Sequence, residues 1–206
     1  MNKFLLVLLA ILALAIIIII VSPQARLLIR VLFMNLIQTT SFTIDDNDPT
    51  VLNMTGAINS RTFDSLKEVV KENPSIKTIH LVDVPGSLND DVNIEMCYWV
   101  RKQGLNTYLS ADSHVASGGT DFFLAGRERR CEKGAQLGVH SWRDALGKEA
   151  KDIPKDDPQH EMNRKYIEDM LGTDAFYWYT IYAAPGEGMH YMTDQEIEHY
   201  NISTHN

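Results

Sequence analysis

Cysteine is scarce in this 206-residue chain, which holds only Cys97 and Cys131. Two are too few for a disulfide framework, and they lack the paired spacing of a structural zinc site. A single bridge between them stays open in an oxidising compartment. Basic runs are short as well: none exceeds Arg129-Arg130, and the formal net charge is −8. Nucleic-acid binding calls for a basic face, so that class of partner is set aside. No HExxH motif occurs, and His160-Glu161 with His190 or His199 lacks metal-site spacing. No metal and no cofactor is therefore expected. Internal repeats are absent, as are low-complexity tracts beyond the first two dozen residues.

What is present is unevenly spread. Phe4 to Val21 reads FLLVLLAILALAIIIIIV, without a charged or polar side chain. That run is close to the shortest that spans a bilayer as a helix. A cleaved signal peptide also begins with a basic residue and an apolar run. This run is longer than the usual signal core, and Ser22-Pro23-Gln24-Ala25-Arg26 offers no clean small-x-small site, which favours an uncleaved anchor. Lys3 and the amino terminus are balanced by Arg26 and Arg30, so the positive-inside rule does not set the orientation. Residues 1–24 are read as a transmembrane anchor, with a signal peptide as the rival reading. Residues 25–48 form an amphipathic segment, built on Leu27, Leu28, Val31, Leu32 and Leu36, followed by a linker rich in turn residues. Residues 49–206 have the length of one ordinary domain.

Within that domain strand and helix signals alternate. Thr50 to Ile58 and Lys77 to Val84 are strand candidates; between them Ser60 is placed to cap a helix with Phe63, Leu66, Val69 and Val70 inward. Asp90 to Gln103 has helical periodicity and ends at Gly104, and Asn106 to Ser110 is another short strand. Ala116 to Ala125 is a small-residue entry leading into an apolar helix, with strand candidates at Arg130-Cys131 and Gln136 to Val139. Such alternation implies an α/β fold with a mostly parallel sheet and crossover helices. Active residues of such folds gather on loops leaving the carboxyl ends of strands. Three loops qualify here: Pro85-Gly86-Ser87, His114 to Gly119, and the one that begins at His140. The crowd Phe176, Tyr177, Trp178, Tyr179 and Tyr182 reads as core and interface, and Asp152 to Asp157 as a solvated loop able to edge or cover a site.

Ser117 stands between Ala116 and two glycines at a helix entry. A hydroxyl there is accessible, and the following amides can stabilise negative charge. The plainest reading of a serine at a helix start is a cap. The wider segment HVASGGTDFFLAGRERRCEKGAQLGVHSWR, from His114 to Arg143, resembles the active-site segment of the Clp protease proteolytic subunit, within the broader Clp/crotonase superfamily. The serine motif at a helix start, the Ala125-Gly126 turn, the strand near Cys131 and the spacing to His140 all correspond. Upstream, Val84-Pro85-Gly86-Ser87 resembles that family's Pro-Gly-Gly loop. The set is also similar to a membrane-anchored or periplasmic branch of Clp-like proteins.

The resemblance implies that Ser117 is the nucleophile and His140 its general base, with the backbone amides of Ser87 and Gly118 as the oxyanion hole. Two positions depart from the family pattern. Ser87 replaces the second glycine of the loop, and Met189 falls where the family has its aspartate. Glu187, His190 and Asp194 are the nearby candidates for a third member. Two readings follow: a membrane-tethered serine hydrolase of peptidase type acting on a peptide or protein, or a catalytically inactive Clp-like binding or scaffold protein at the membrane. A crotonase-type acyl-CoA enzyme ranks last, because the acidic chain offers no basic pocket for the CoA phosphates. The expected location is a single-pass cell-membrane protein with an extracytoplasmic, periplasmic domain. The resemblance also implies a homo-oligomer. An anchor on every amino terminus argues against a closed double ring and an ATPase partner.

Overall fold

A computed structural model of the chain describes Ser22, residues 40–144 and residues 147–205. The apolar run from Phe4 to Val21 and the amphipathic segment after it lie outside the described residues. Among the described residues no helix is long and apolar enough to cross a membrane.

Residues 39–206 form one compact unit. Its sheet has eight strands: β1 (Ser41–Ile44), β2 (Val51–Thr55), β3 (Thr78–Val84), β4 (Asn106–Leu109), β5 (His114–Ala116), β6 (Arg129–Cys131), β7 (Gln136–Val139) and β8 (His190–Tyr191). The helices are α1 (Thr62–Glu72), α2 (Asp90–Gln103), α3 (Gly118–Leu124), α4 (Glu161–Leu171), α5 (Ala175–Ala183) and α6 (Asp194–His199). Pairings through the middle of the sheet are parallel, while β1–β2 and β7–β8 are antiparallel at its ends.

The sheet forks along β3. Its first residues pair with β4, up to His80 opposite Tyr108, and its last two, Asp83 and Val84, pair with β5. One branch continues through β4 to β6, the other through β5 to β7 and β8. A fork strands backbone groups between its branches, and buried ones need partners. The fully buried Ser113 supplies one: its hydroxyl donates to the Leu81 carbonyl at 2.7 Å. His80 links β2 to the fork, with Nδ1 at 2.8 Å from Asn53 Oδ1 on β2 and Nε2 at 3.1 Å from Ser110 Oγ just past β4.

The core lies between this sheet and its helices. Leu52, Met54, Ile79, Leu81, Leu109 and Leu137 come from the strands, and Met96, Cys97, Phe122, Phe123, Leu124 and Tyr166 from α2, α3 and α4. Both cysteines are free. Helix α3 is buried along almost its whole length, which explains its apolar sequence without a polar face. Its last carbonyls are taken by Arg101 of α2, which donates from Nε to Ala125 at 2.9 Å and from Nη2 to Leu124 at 2.7 Å. A cation at a helix carboxyl end is also favoured by the helix dipole. Local signals set the bounds of α2: Asn89 caps its first turn, and Gly104 closes it in the left-handed region at φ 72°.

Three details differ from the sequence reading. β1 lies in the stretch read as linker, drawn into the sheet by its hairpin with β2. β5 is a strand where a loop was expected, because three residues are too few to show alternation. Ser60 does not cap α1, which begins at Thr62; the Asn59 side chain accepts the Arg61 N–H at 2.9 Å, and Ser60 Oγ accepts from Asn89. In α5, Phe176 and Tyr177 are buried while Tyr182 is exposed.

Phe122 is fully buried at the centre of the core. Phe122→Ala is expected to cost about 3–5 kcal/mol of stability, read as a lower urea midpoint.

Candidate active site

β5 passes into α3 with a single residue between them, Ser117. Its N–H donates to the Gly138 carbonyl of β7 at 2.9 Å, so its amide still belongs to the sheet, while its carbonyl accepts from Thr120 N–H at 2.8 Å as a first helical turn. Meeting both demands puts its backbone at φ 53°, ψ −128°. A non-glycine residue there carries about 1–3 kcal/mol of strain. The hydroxyl makes no cap hydrogen bond. It lies 2.8 Å from His140 Nε2.

His140 follows Val139, the last residue of β7, so the sheet that holds the Ser117 amide also delivers the imidazole. Its Nδ1 is buried with no hydrogen-bond partner among the described residues. Burial pulls its pKa below the ordinary histidine value of 6.5; the backbones of Gly186 and Ser141 and the charges of Asp90 and Glu149 oppose that pull. The ring is therefore neutral at neutral pH, the state in which it can accept a proton.

The Pro85-Gly86-Ser87 loop abuts this pair. Gly86 has φ 147°, and a Cβ there would lie 3.2 Å from Ser117 Cβ. Gly118 must also be glycine, since a Cβ would come within 2.4 Å of Ser87 Cβ and 3.0 Å of Ser87 N. The loop is pinned by Ile58 N–H donating to the Gly86 carbonyl at 2.9 Å, Leu88 N–H donating to the Ile58 carbonyl at 2.7 Å, and Asn89 N–H donating to Ser87 Oγ at 3.0 Å. None of these bonds uses the amide of Ser87 or of Gly118, and the two residues adjoin.

The three candidates for a third member lie elsewhere. Glu187 pairs with Arg143 at 2.9 Å, with its side chain 84% exposed. His190 sits on β8 with Nε2 at 3.1 Å from Glu196 Oε2. Asp194 opens α6 beside Cys131 and Glu132. Met189 packs against β7, its sulfur 2.7 Å from where a Gly138 Cβ would stand. The carboxylates that act on His140 are instead Asp90 and Glu149, which sequence reasoning missed. Glu149 takes the Gly186 N–H on both oxygens, at 2.9 and 3.1 Å, and contacts Arg143 Nε at 2.9 Å. Arg143 thus ties Glu149 to Glu187, and the 184–188 loop is held against the strand exit, where Ser141 N–H donates to the Ala184 carbonyl.

Beside the pair is a cavity of about 60 Å³ lined by Ser117, His140, Asp90, Thr120, Asp121 and Asn163, among others. No residue of the Asp152–Asp157 loop lines it; Lys155, Asp156 and Asp157 line a separate hollow with Trp178. A larger hollow of about 570 Å³ lies near Thr78, Asn106, Tyr108 and Arg130, and neither Ser117 nor His140 lines it. His160, once weighed as a metal ligand, is buried with Nδ1 at 2.6 Å from the Tyr177 hydroxyl.

No family model matches the sequence, and no curated protein matches it. Solved structures do. ClpP1 from Listeria monocytogenes aligns at TM-score 0.52 and 19% identity over 75% of this chain and 88% of that one. The membrane-bound stomatin-specific protease 1510-N aligns at TM-score 0.53 and 16% identity over 74% and 75%. An enoyl-CoA hydratase from Bacillus anthracis aligns at TM-score 0.51 and 14% identity over 81% and 69%. The fold is Clp/crotonase-like.

Two measurements probe the geometry. Ser117→Gly is expected to raise stability by about 1 kcal/mol in thermal or urea unfolding, because glycine relieves the positive φ. Glu149→Ala is expected to lower the melting temperature at neutral pH. Hydrogen bonds and Arg143 hold the Glu149 carboxyl below its ordinary value of 4.5, so the difference is full above that value. It closes as pH falls through the lower value of the folded state.

Proposed function

We propose that this protein is a serine hydrolase of peptidase type, with Ser117 as nucleophile, His140 as general base and the Ser87 and Gly118 amides as oxyanion donors. The observation that carries the reading is the 2.8 Å approach of Ser117 Oγ to His140 Nε2, made by a serine held in a strained turn and spent on no cap. In this mechanism the hydroxyl attacks an acyl carbon as its proton passes to His140 Nε2. The tetrahedral oxyanion is held by the two amides, and the protonated imidazole then gives its proton to the leaving group. Water, activated by the same ring, releases the acyl group. Each oxyanion donor contributes about 3–4 kcal/mol to such a barrier.

The pair works as a dyad in this reading. A carboxylate that orients the base can be worth on the order of 10⁴ in rate, so slow turnover is expected. The partnerless His140 Nδ1 is also what favours the second reading, an inactive scaffold with this fold. An acyl-CoA reaction is poorly served by a cavity that carries Asp90 and Asp121 and no Lys or Arg among its described lining residues. Membrane tethering through Phe4 to Val21, an extracytoplasmic domain and a homo-oligomer belong to the same proposal. A membrane-bound protease among the structural neighbours and the apolar run itself support the tether.

The test is covalent labelling by a fluorophosphonate. Wild type is expected to react, Ser117→Ala not at all, and His140→Ala at least about 100-fold more slowly. The wild-type rate should rise with pH along a single titration whose midpoint lies below 6.5, as His140 loses its proton. Labelling that survives Ser117→Ala, or no labelling of folded wild type, overturns the proposal.

A further inference from the structure

We propose that the cavity beside Ser117 receives a cationic side chain of the substrate, with the partly buried Asp121 as its counter-charge and Asp90 as a second carboxylate nearby. This rests on the reading of Ser117 as nucleophile and names the substrate class for the same site. Asp121 lies four residues after Ser117, about one turn along α3, so its carboxyl lies on the nucleophile's side of the helix and lines the cavity.

The carboxyl has no donor. Other acids of this chain are hydrogen-bonded: Asp45 by Asn47 and Asn53, Glu149 by Gly186, Glu196 by Thr193. Asp121 accepts nothing on its side chain from any described residue. The neighbouring hydroxyls are already committed. Tyr166 donates its hydroxyl to the Asp121 backbone carbonyl at 2.6 Å. Tyr177 shares its own with His160 Nδ1 at 2.6 Å and accepts from Trp142 Nε1. Thr120 and Thr180 donate theirs to the carbonyls of Gly138 and Tyr177. A partly desolvated carboxyl without a protein donor gains from meeting a cation. Burial, then the nearby charge of Asp90, pushes its pKa up to about 7. Asp90 is itself raised by burial, partly offset by a hydrogen bond to Ser87.

No Lys or Arg lines the cavity among the described residues, so no described lining residue supplies the missing charge. Its volume of about 60 Å³ is that of roughly two waters. That room takes the charged tip of an alkyl-ammonium or guanidinium arm and does not take an aromatic ring. A bound cation favours ionised Asp121, so binding below about pH 7 releases a proton and preference for the cation grows as pH rises. The titratable groups around Asp121 are Asp90 and Cys97 on α2, Tyr166 on α4, Tyr177 on α5, and His140 after β7.

Two peptidyl phosphonate esters, identical except for lysine or its neutral isostere norleucine at the position next to the phosphorus, provide the test on the full chain in detergent. The quantity read is the ratio of their second-order labelling rates at Ser117. The ratio cancels the titration of His140, which both reactions share. The lysine compound is expected to react more than about tenfold faster, with the ratio rising between about pH 6 and pH 8. Asp121→Asn should bring the ratio towards one, and Asp90→Asn should reduce it by less. Equal or reversed rates in wild type overturn the inference while leaving the catalytic reading intact. Failure of both compounds to label Ser117 overturns the catalytic reading and the inference with it. Should Asp121→Asn not fold, a wild-type ratio that stays flat across the pH range overturns the inference by itself.

Discussion

The carbonyl of Gly138 accepts two hydrogen bonds, from the N–H of Ser117 at 2.9 Å and from the hydroxyl of Thr120 at 2.8 Å. These bonds tie the end of β5 and the first turn of α3 to a strand whose last residue, Val139, precedes His140. Both members of the Ser117–His140 pair are thereby placed by backbone and buried side-chain bonds rather than by flexible side chains alone. The parallel pairing of Ala116 with Gly138 sets the register that makes this work. A shift of one residue would turn the imidazole to the other face of the sheet.

That pairing exists because the sheet forks. A single continuous sheet would keep β4 beside β3 along its length. Here β5 takes over at Asp83, and the Ser113 hydroxyl satisfies the Leu81 carbonyl at the split. The fork opens room at the carboxyl end of β3 for the Gly86 loop, which closes on Ser117 from above α3. The fold beneath is well packed: strand side chains such as Leu81 and Leu137 share one fully buried cluster with Phe122 and Phe123.

Against that background three unusual features meet in one place. The strained φ of Ser117, the partnerless Nδ1 of His140 and the donor-free carboxyl of Asp121 all border the same small cavity. Each costs stability, and buried polar groups elsewhere in proteins are mostly paired. The surrounding structure holds them through rigid means: the Arg143–Glu149–Glu187 ion pairs on one side, and α2, anchored by Asn93 donating to the Gly118 carbonyl at 2.8 Å, on the other. Strain of this sort persists where neighbouring contacts over-determine the geometry.

Much of this was legible in the residues alone, and the reason is locality. α2 announces itself through Asn89 and Gly104, because a cap and a left-handed stop are properties of a few adjacent residues. Ser117 before two glycines, and a histidine at a strand end, are likewise short-range signals, as was the alternation behind the α/β reading. The environment of the imidazole was not legible. Glu187, His190 and Asp194 are close to the expected position in sequence, yet their partners are Arg143, Glu196 and the Cys131 edge. The carboxylates whose charge acts on His140 come from the start of α2 and from the far side of the Arg143 turn. Asp121 reads as an ordinary polar residue in an apolar helix, and only the packing of α2, α4 and α5 around it leaves its carboxyl without a donor. Sequence by itself determined the elements and the serine turn, since these depend on neighbours along the chain. Tertiary structure alone decided which charges face the pair, because that depends on how strands far apart in sequence come to share one sheet.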